Sequence, residues 1–84
     1  LSGGGYIRLQ IQLEFTTPDV PKRFFTHLVP LRDGVISILA NHTQNELREG
    51  KGRDALKGEI KDLVNVLMKK EEVKRVYFTQ FLIQ

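Results

Sequence analysis

The sequence predicts a small α/β (α+β) domain, a two-layer sandwich in which three helices cover one face of a small β-sheet. Two observations predict it: long strand patterns stand at both ends of the chain, and apolar residues at helical spacing fill the middle. A chain of 84 residues suits one domain with a modest core. Because it contains no cysteine, neither disulfides nor thiolate-bound metal can reinforce that core.

The first strand is predicted at residues 6–15, where apolar and polar residues alternate over five repeats. This period of two indicates a strand with one buried and one wet face. The face predicted to be buried carries Ile7, Leu9, Ile11, Leu13 and Phe15, and the other carries Arg8, Gln10, Gln12 and Glu14. Residues 1–5 are predicted to be a flexible linker or expression remnant, and residues 6–84 a single domain.

The last strand, residues 76–84, is rich in aromatic and β-branched residues, which predicts a place inside the sheet. Its apolar residues change phase in the middle, because Val76 and Phe78 are out of step with Phe81 and Ile83. A bulge near Thr79 would put all four on one face, and without it one pair would face outward. The pattern leaves parallel and antiparallel pairing open.

Three longer helical segments are predicted between the strands. The first begins at the cap Thr17 and ends before Pro30, and the second follows at residues 31–40, with Gly34 marking close packing. The third, residues 54–69, carries one apolar stripe.

A short connection separates the second and third of these segments. Thr43 and Glu46 have the spacing of a capping box, which predicts one helical turn at residues 44–48. Gly50 and Gly52 are predicted to form the turn that leads out of it.

Residues able to support catalysis are sparse. His27 and His42 lack the partners of a catalytic or metal site, and the carboxylates are scattered singly. We therefore expect no enzyme activity, no cofactor and no metal. A net charge of +3 permits an anionic partner without requiring one.

One basic loop keeps an alternative function open. Residues 49–53, Glu-Gly-Lys-Gly-Arg, place two basic residues before a helix, where a phosphate could bind. The segment lacks the spacing of a P-loop and the G-x-x-G of a K-homology (KH) domain, so a flexible turn is the simpler interpretation. A small basic, KH-like RNA-binding domain remains the alternative hypothesis.

The candidate interaction residues lie in two regions. Phe25 is out of step with the apolar stripe of its predicted helix, so it is expected to be partly exposed. A basic connector, half-neutralised by Glu71 and Glu72, precedes the last strand. The predicted protein interface consists of Phe25, Lys70, Lys74, Arg75, Tyr77 and Thr79.

Four segments together resemble the FliL family of flagellar basal-body-associated proteins. Residues 76–84, V-Y-F-T-Q-F-L-I-Q, resemble its C-terminal signature V-Y-F-T-x-F-x-x-Q. Residues 31–39 resemble its L-R-D-x-I-I-S-L-L helix, residues 43–47 its T-x-x-E-L turn, and residues 50–60 its G-K-x-x-L-K-x-E-I helix start. Because these segments occur in the same order, the resemblance extends over residues 6–84.

The resemblance implies a non-enzymatic scaffold with a fold similar to stomatin/prohibitin (SPFH) domains. It implies a periplasmic domain of a single-pass inner-membrane protein at the flagellar basal body, anchored through a segment outside this chain. The implied partners are further copies of the protein, in a ring, and the MotA/MotB stator units, with no nucleic acid.

Overall fold

We describe a computed structural model of the chain, which covers residues 5–84. The predicted linker lies outside these residues except for Gly5. The elements in chain order are β1 (Ile7–Phe15), a 3-10 helix (Lys22–His27), α1 (Leu28–Ala40), α2 (Gln44–Arg48), α3 (Gly50–Met68) and β2 (Val73–Ile83). The predicted mixed α+β architecture is confirmed, with two terminal strands and helices between them.

The two strands pair antiparallel, which resolves the direction that the sequence left open. Every inward-facing residue of β1 is opposite an apolar residue of β2, and such cross-strand pairs stabilise a sheet. The inward pairs are Ile7 with Ile83, Leu9 with Phe81, Ile11 with Phe78, Leu13 with Val76 and Phe15 with Val73. One sheet face is therefore wholly apolar and must be covered by the helices.

Of the two alternatives that the sequence leaves open for the last strand, the structure has the bulge. The register shifts between Gln10 and Ile11, which leaves Thr79 of β2 without an opposite residue. A second shift between Glu14 and Phe15 leaves Lys74 unopposed in the same way, and the sequence analysis missed it. This second bulge allows β2 to begin at Val73 rather than at Val76 and places Val73 in the core.

The prediction that β2 lies inside a sheet is wrong. Across residues 5–84 the sheet has two strands, so each has one edge without a strand neighbour. The apolar density of β2 is explained instead by the helix above it, since α3 packs directly on this strand. Lys57 and Arg53 of α3 also lie over the rings of Phe78 and Phe81, at 5.3 and 5.6 Å from the ring centroids.

The core lies between α3 and the sheet. The stripe predicted on α3 is confirmed, because four residues one helical turn apart are almost fully buried: Leu56, Ile60, Val64 and Met68. Leu47 of α2 is also completely buried and joins this cluster. The short helix α2 is thus held by its one apolar side chain, as its sequence predicts.

The first predicted helix is replaced by irregular chain and a 3-10 helix. Pro21 precedes the 3-10 helix, and the amide of Phe24 donates to its carbonyl oxygen at 3.0 Å. Pro30 does not break a helix but lies in the first turn of α1. A proline is tolerated there because the first amides of a helix have no acceptor within it. The 3-10 helix therefore runs directly into α1.

The predicted turn at residues 50–52 is also wrong, because these residues form the first turn of α3. The chain reverses at Glu49 instead, which has an extended conformation. Gly52 lies directly against the carbonyl of Glu46, where only a hydrogen atom fits. The close approach of α2 and α3, rather than backbone flexibility, explains this glycine.

The helix junctions otherwise follow the predictions. The hydroxyl of Thr43 accepts a hydrogen bond from the amide of Glu46 at 3.2 Å and caps α2. Gly34 of α1 faces Leu63 of α3, and a methyl group at Gly34 would lie 2.5 Å from a Leu63 methyl carbon. The close packing predicted at Gly34 is thereby confirmed.

Candidate interaction surfaces

The face of the sheet that points away from the helices is one candidate surface, which we call the outer sheet face. It consists of the outward pairs Arg8 with Leu82, Gln10 with Gln80, Gln12 with Tyr77 and Glu14 with Arg75. Polar side chains predominate, as the alternation of β1 predicts. This face is presented on a rigid antiparallel ladder rather than on a loop.

An ordered polar cluster lies at one end of the outer sheet face. The Tyr77 hydroxyl donates a hydrogen bond to the Glu14 carboxylate at 2.9 Å. The Tyr77 side chain, and then the Glu14 charge, raise the pKa of Arg75 above its usual value. The cluster therefore combines the Arg75 guanidinium, the Glu14 carboxylate and an oriented phenol.

The two bulges place further predicted residues on the exposed side of β2. Lys74 and Thr79 are the unopposed residues, and both are exposed. The Thr79 hydroxyl donates to the carbonyl of Gln10 at 3.4 Å. Lys70 is exposed in the connection before β2. Lys74, Arg75, Tyr77 and Thr79 are thus brought together along one strand.

Phe25 belongs to a different surface. It is 59% exposed and lines a cavity with the inward-facing residues Leu13 and Phe15 of β1. Phe24 links it to the sheet through edge-to-face contacts, with centroids 5.7 Å from Phe25 and 5.2 Å from Phe15. Since Phe25 adjoins the inner face of the sheet, the predicted interface divides into two surfaces.

The second surface is an apolar groove between β1 and α1, which we call the β1–α1 groove. Two adjoining cavities of about 430 and 720 Å³ form it. Its walls are the inward-facing residues of β1 and the α1 residues Leu28, Val29, Leu31, Arg32, Val35, Ile36 and Leu39. Val29 and Ile36 are 73% and 58% exposed at its rim. Sequence analysis missed this groove, because the same residues look like an ordinary core stripe.

A half-buried ion pair joins the 3-10 helix to the start of β2. The guanidinium of Arg23 contacts the carboxylate of Glu72, which is only 6% exposed. The Asn65 side-chain oxygen accepts hydrogen bonds from the amides of Glu72 and Val73, at 3.0 Å each. Glu71 and Glu72 both belong to the charged connector before the last strand, but only Glu72 is buried. Charge alone does not distinguish Glu72 from Glu71.

His42 lies between two carboxylates. Its Nδ1 is 3.0 Å from Glu46 Oε2 and its Nε2 is 2.9 Å from Glu59 Oε1. Both ring nitrogens can donate only when the imidazole is protonated. The ring, with its side chain 12% exposed, thus ties the end of α1 to α2 and α3. Among residues 5–84 no group of three or more potential ligands could hold a metal ion.

Acid should weaken this histidine bridge through Glu46. The hydrogen bond from His42 lowers the pKa of Glu46 below its usual 4.5, assisted by Thr43. A lowered folded-state pKa contributes stability above the unfolded value, and that stability is lost as the pH falls through the folded value. In the unmodified domain, the stabilisation by ionised Glu46 should be lost below about pH 4.5. Glu46→Gln should not show this acid-dependent loss. The difference between the urea unfolding midpoints at pH 6 and pH 3.5 measures this loss. If the control Glu71→Gln reduced that difference as much as Glu46→Gln, the assignment to Glu46 would be contradicted.

The basic segment at residues 49–53, on which the RNA-binding hypothesis rests, does not form a phosphate-binding loop. Lys51 and Arg53 lie in the first turns of α3 and not in a loop, and the Arg53 guanidinium lies over the ring of Phe81. Gly50 and Gly52 belong to the same helical turn rather than to a phosphate-binding loop, and Gly52 packs against the carbonyl of Glu46. RNA binding is therefore not supported.

The structure thus describes a small α+β domain with two candidate interaction surfaces. The sequence model of the family described as "Flagellar basal body-associated protein FliL" matches residues 1–84. The chain is 35% identical over 79 residues to a flagellar protein FliL of Aquifex aeolicus, covering 94% of this chain and 49% of that protein. It is 31% identical over 84 residues to a flagellar protein FliL of Bacillus subtilis, covering 100% of this chain and 60% of that protein.

The chain belongs to the FliL family of flagellar basal-body-associated proteins. The predicted resemblance is thereby confirmed, and with it a flagellar context. The chain spans about half of the length of the Aquifex relative and somewhat more of the Bacillus relative. Of the helices in residues 5–84, none has the length and apolar character needed to cross a membrane.

Proposed function

We propose that this domain is a non-enzymatic scaffold of the flagellar motor that self-associates and contacts the MotA/MotB stator units. In this role it supports motility and torque. The observation that carries the proposal is the outer sheet face, a rigid polar surface with the fixed Arg75–Tyr77–Glu14 cluster. Family membership supplies the flagellar context. The interface residues we propose on this face are Lys74, Arg75, Tyr77 and Thr79, with Lys70 beside them and Phe25 on the groove side.

The chemistry of the outer sheet face suits a reversible protein contact. Tyrosine and arginine are the residues most enriched at energetically important interface positions. The phenol of Tyr77 is already oriented by Glu14, so little side-chain freedom is lost when a partner binds. Lys74 and Arg75 would attract an acidic partner surface and speed its association.

We also propose that the domain lies in the periplasm, anchored to the inner membrane by a single span outside this chain. A stator contact in that compartment needs a domain held near the membrane, because tethering raises the effective concentration of a weak binder.

A motility assay with charge-matched variants tests the proposal. We expect Lys74→Glu, at an exposed bulge, to reduce swimming in soft agar by at least about half, because reversed charge repels the acidic partner. Lys51→Glu makes the same charge change at the start of α3 and should swim normally, since an acidic residue is favourable there.

Immunoblots of the full-length proteins and their thermal midpoints control for abundance and folding. Equal swimming of both variants would reject the outer sheet face as the functional contact. Wild-type swimming after complete deletion of the domain would reject the motor role itself.

A further inference from the structure

Two cations of α3 are held in fixed positions above β2. The rings of Phe78 and Phe81 are neighbours, with centroids 5.4 Å apart. Lys57 Nζ lies 5.3 Å from the centroid of the Phe78 ring, and the Arg53 guanidinium carbon lies 5.6 Å from the centroid of the Phe81 ring. A cation over an aromatic face is attracted to the ring, so both charges are more restricted than those of ordinary surface side chains.

These two cations begin a row along one side of α3, which we call the cation row. Arg53 and Lys57 are one helical turn apart and Lys61 follows one turn later, so their Cβ atoms are spaced by roughly 6 Å. Arg53 is exposed and both lysines are half-buried. Leu63, which packs against Gly34 of α1, lies on the other side of α3. The cation row therefore lies on the side of α3 that faces away from α1.

The charges of the cation row are not neutralised from within the described part of the chain. Across residues 5–84, no carboxylate lies within ion-pair distance of Arg53, Lys57 or Lys61. Glu59 of the same helix contacts His42 instead. The row thus presents fixed positive charge at a regular spacing, which suits a partner with carboxylates at the same spacing.

The strand beneath the cation row suits neither an added strand nor a nucleic acid. Both bulges place their extra residue, Lys74 or Thr79, in β2, and bulges interrupt strand pairing. The rings of Phe78 and Phe81 are not a free platform for stacking bases, because cations already lie over them. A partner at this site is therefore recognised through its side chains.

We propose that the cation row is a docking site for an acidic helix of another protein, in which carboxylates recur at every fourth residue. Side chains four residues apart on such a helix have the spacing of the row, so each carboxylate can meet one cation. Charge pairs between neighbouring helices select the partner and its register. The cation row is separate from the outer sheet face, so this inference does not rest on the proposed motor contact.

Titration of the chain with two synthetic peptides, followed by NMR, tests the proposal. Both peptides are alanine-rich helices with the same number of glutamates, placed at every fourth residue in the first and around the whole helix in the second. At low salt, where charge pairs are screened least, the first peptide should bind at least about fivefold more tightly. The largest changes in amide resonances should occur at Arg53 and Lys57.

Lysine-to-glutamine changes at two positions of α3 provide matched variants. Lys57→Gln removes one charge of the cation row and should abolish most of the preference for the first peptide. Lys51→Gln removes the same charge at about 160° from Arg53 around the helix axis, and should leave the preference unchanged. Arg53→Gln repeats the test at the other cation held over a ring. Thermal midpoints of the variants show that they are folded.

Equal binding of the two peptides would overturn the proposal, because net charge alone would then account for binding. Equal effects of Lys57→Gln and Lys51→Gln would overturn it as well. Vesicles of phosphatidylglycerol, or single-stranded oligothymidylate, are the competing probes. If either shifted the same amides at lower concentration than the first peptide, the site would belong to a lipid surface or a nucleic acid instead. None of these measurements involves the outer sheet face, so the swimming assay remains a separate test.

Discussion

Of the methyl groups that single substitutions could add to residues 5–84, the one that Gly52→Ala adds should lower the free energy of unfolding most. The new Cβ would lie 1.7 Å from the carbonyl oxygen of Glu46. Neither atom can turn aside, because the Cβ position is fixed by the backbone of α3 and the carbonyl belongs to the backbone of α2. We expect a loss of about 3 kcal/mol in the free energy of unfolding, because overpacking must separate α2 from α3. For a domain of this size the thermal midpoint should fall by roughly 15 °C.

Gly58→Ala is the matched control for this prediction. It adds the same methyl group to the same helix, but beyond the adjacent residues and backbone of α3 no atom lies within 4 Å of the new carbon. Relief of the glycine penalty in a helix should stabilise the domain by about 1 kcal/mol. Urea unfolding of both variants measures the difference. If both changes were stabilising, the close approach of α2 and α3 at Gly52 would be wrong.

Loss of the Arg23 charge should have the second large effect. Arg23→Met leaves the Glu72 carboxylate, which is 6% exposed, without its ion-pair partner. Breaking a buried pair from one side generally costs several kcal/mol. Because the Arg23 side chain is 48% exposed, water screens part of the interaction, and we expect a loss of about 2 kcal/mol.

A double variant separates the charge effect from lost packing. Arg23→Met with Glu72→Gln should recover at least half of the lost stability, because an unpaired amide is cheaper to bury than an unpaired carboxylate. Lys22→Met, one residue earlier and exposed, should change stability little. No recovery in the double variant would show that Arg23 stabilises through its aliphatic stem instead.

The elements predicted best from sequence are those with an unbroken apolar period. β1 alternates over its whole length and α3 repeats its apolar stripe over four turns, so burial alone determines which way each faces. The bulge at Thr79 could also be predicted, because apolar residues on either side of it change phase. The bulge at Lys74 was missed although Val73 and Val76 show the same change of phase, because the strand was predicted to begin only at Val76.

The features that sequence could not reveal are those decided by tertiary contacts. Gly50 and Gly52 have turn composition, yet both lie in the first turn of α3, where Gly52 packs against α2. Glu71 and Glu72 have the same side chain, and only the position of Arg23 decides which is buried. Of the predicted interface residues, Lys74, Arg75, Tyr77 and Thr79 lie together on β2, as their closeness in the sequence indicates. Phe25 was separated from them because the sheet itself lies between the two surfaces.

Site-specific photo-crosslinking in swimming cells tests the central claim most directly. A photoreactive residue at Tyr77 or Thr79 of the full-length protein should give crosslinks to a stator protein or to a second copy. The same residue at Lys51 or Val66, exposed on α3, should give none. Silence at Tyr77 and Thr79, with crosslinks to stator proteins from the α3 positions, would contradict the assignment of the outer sheet face as the motor contact.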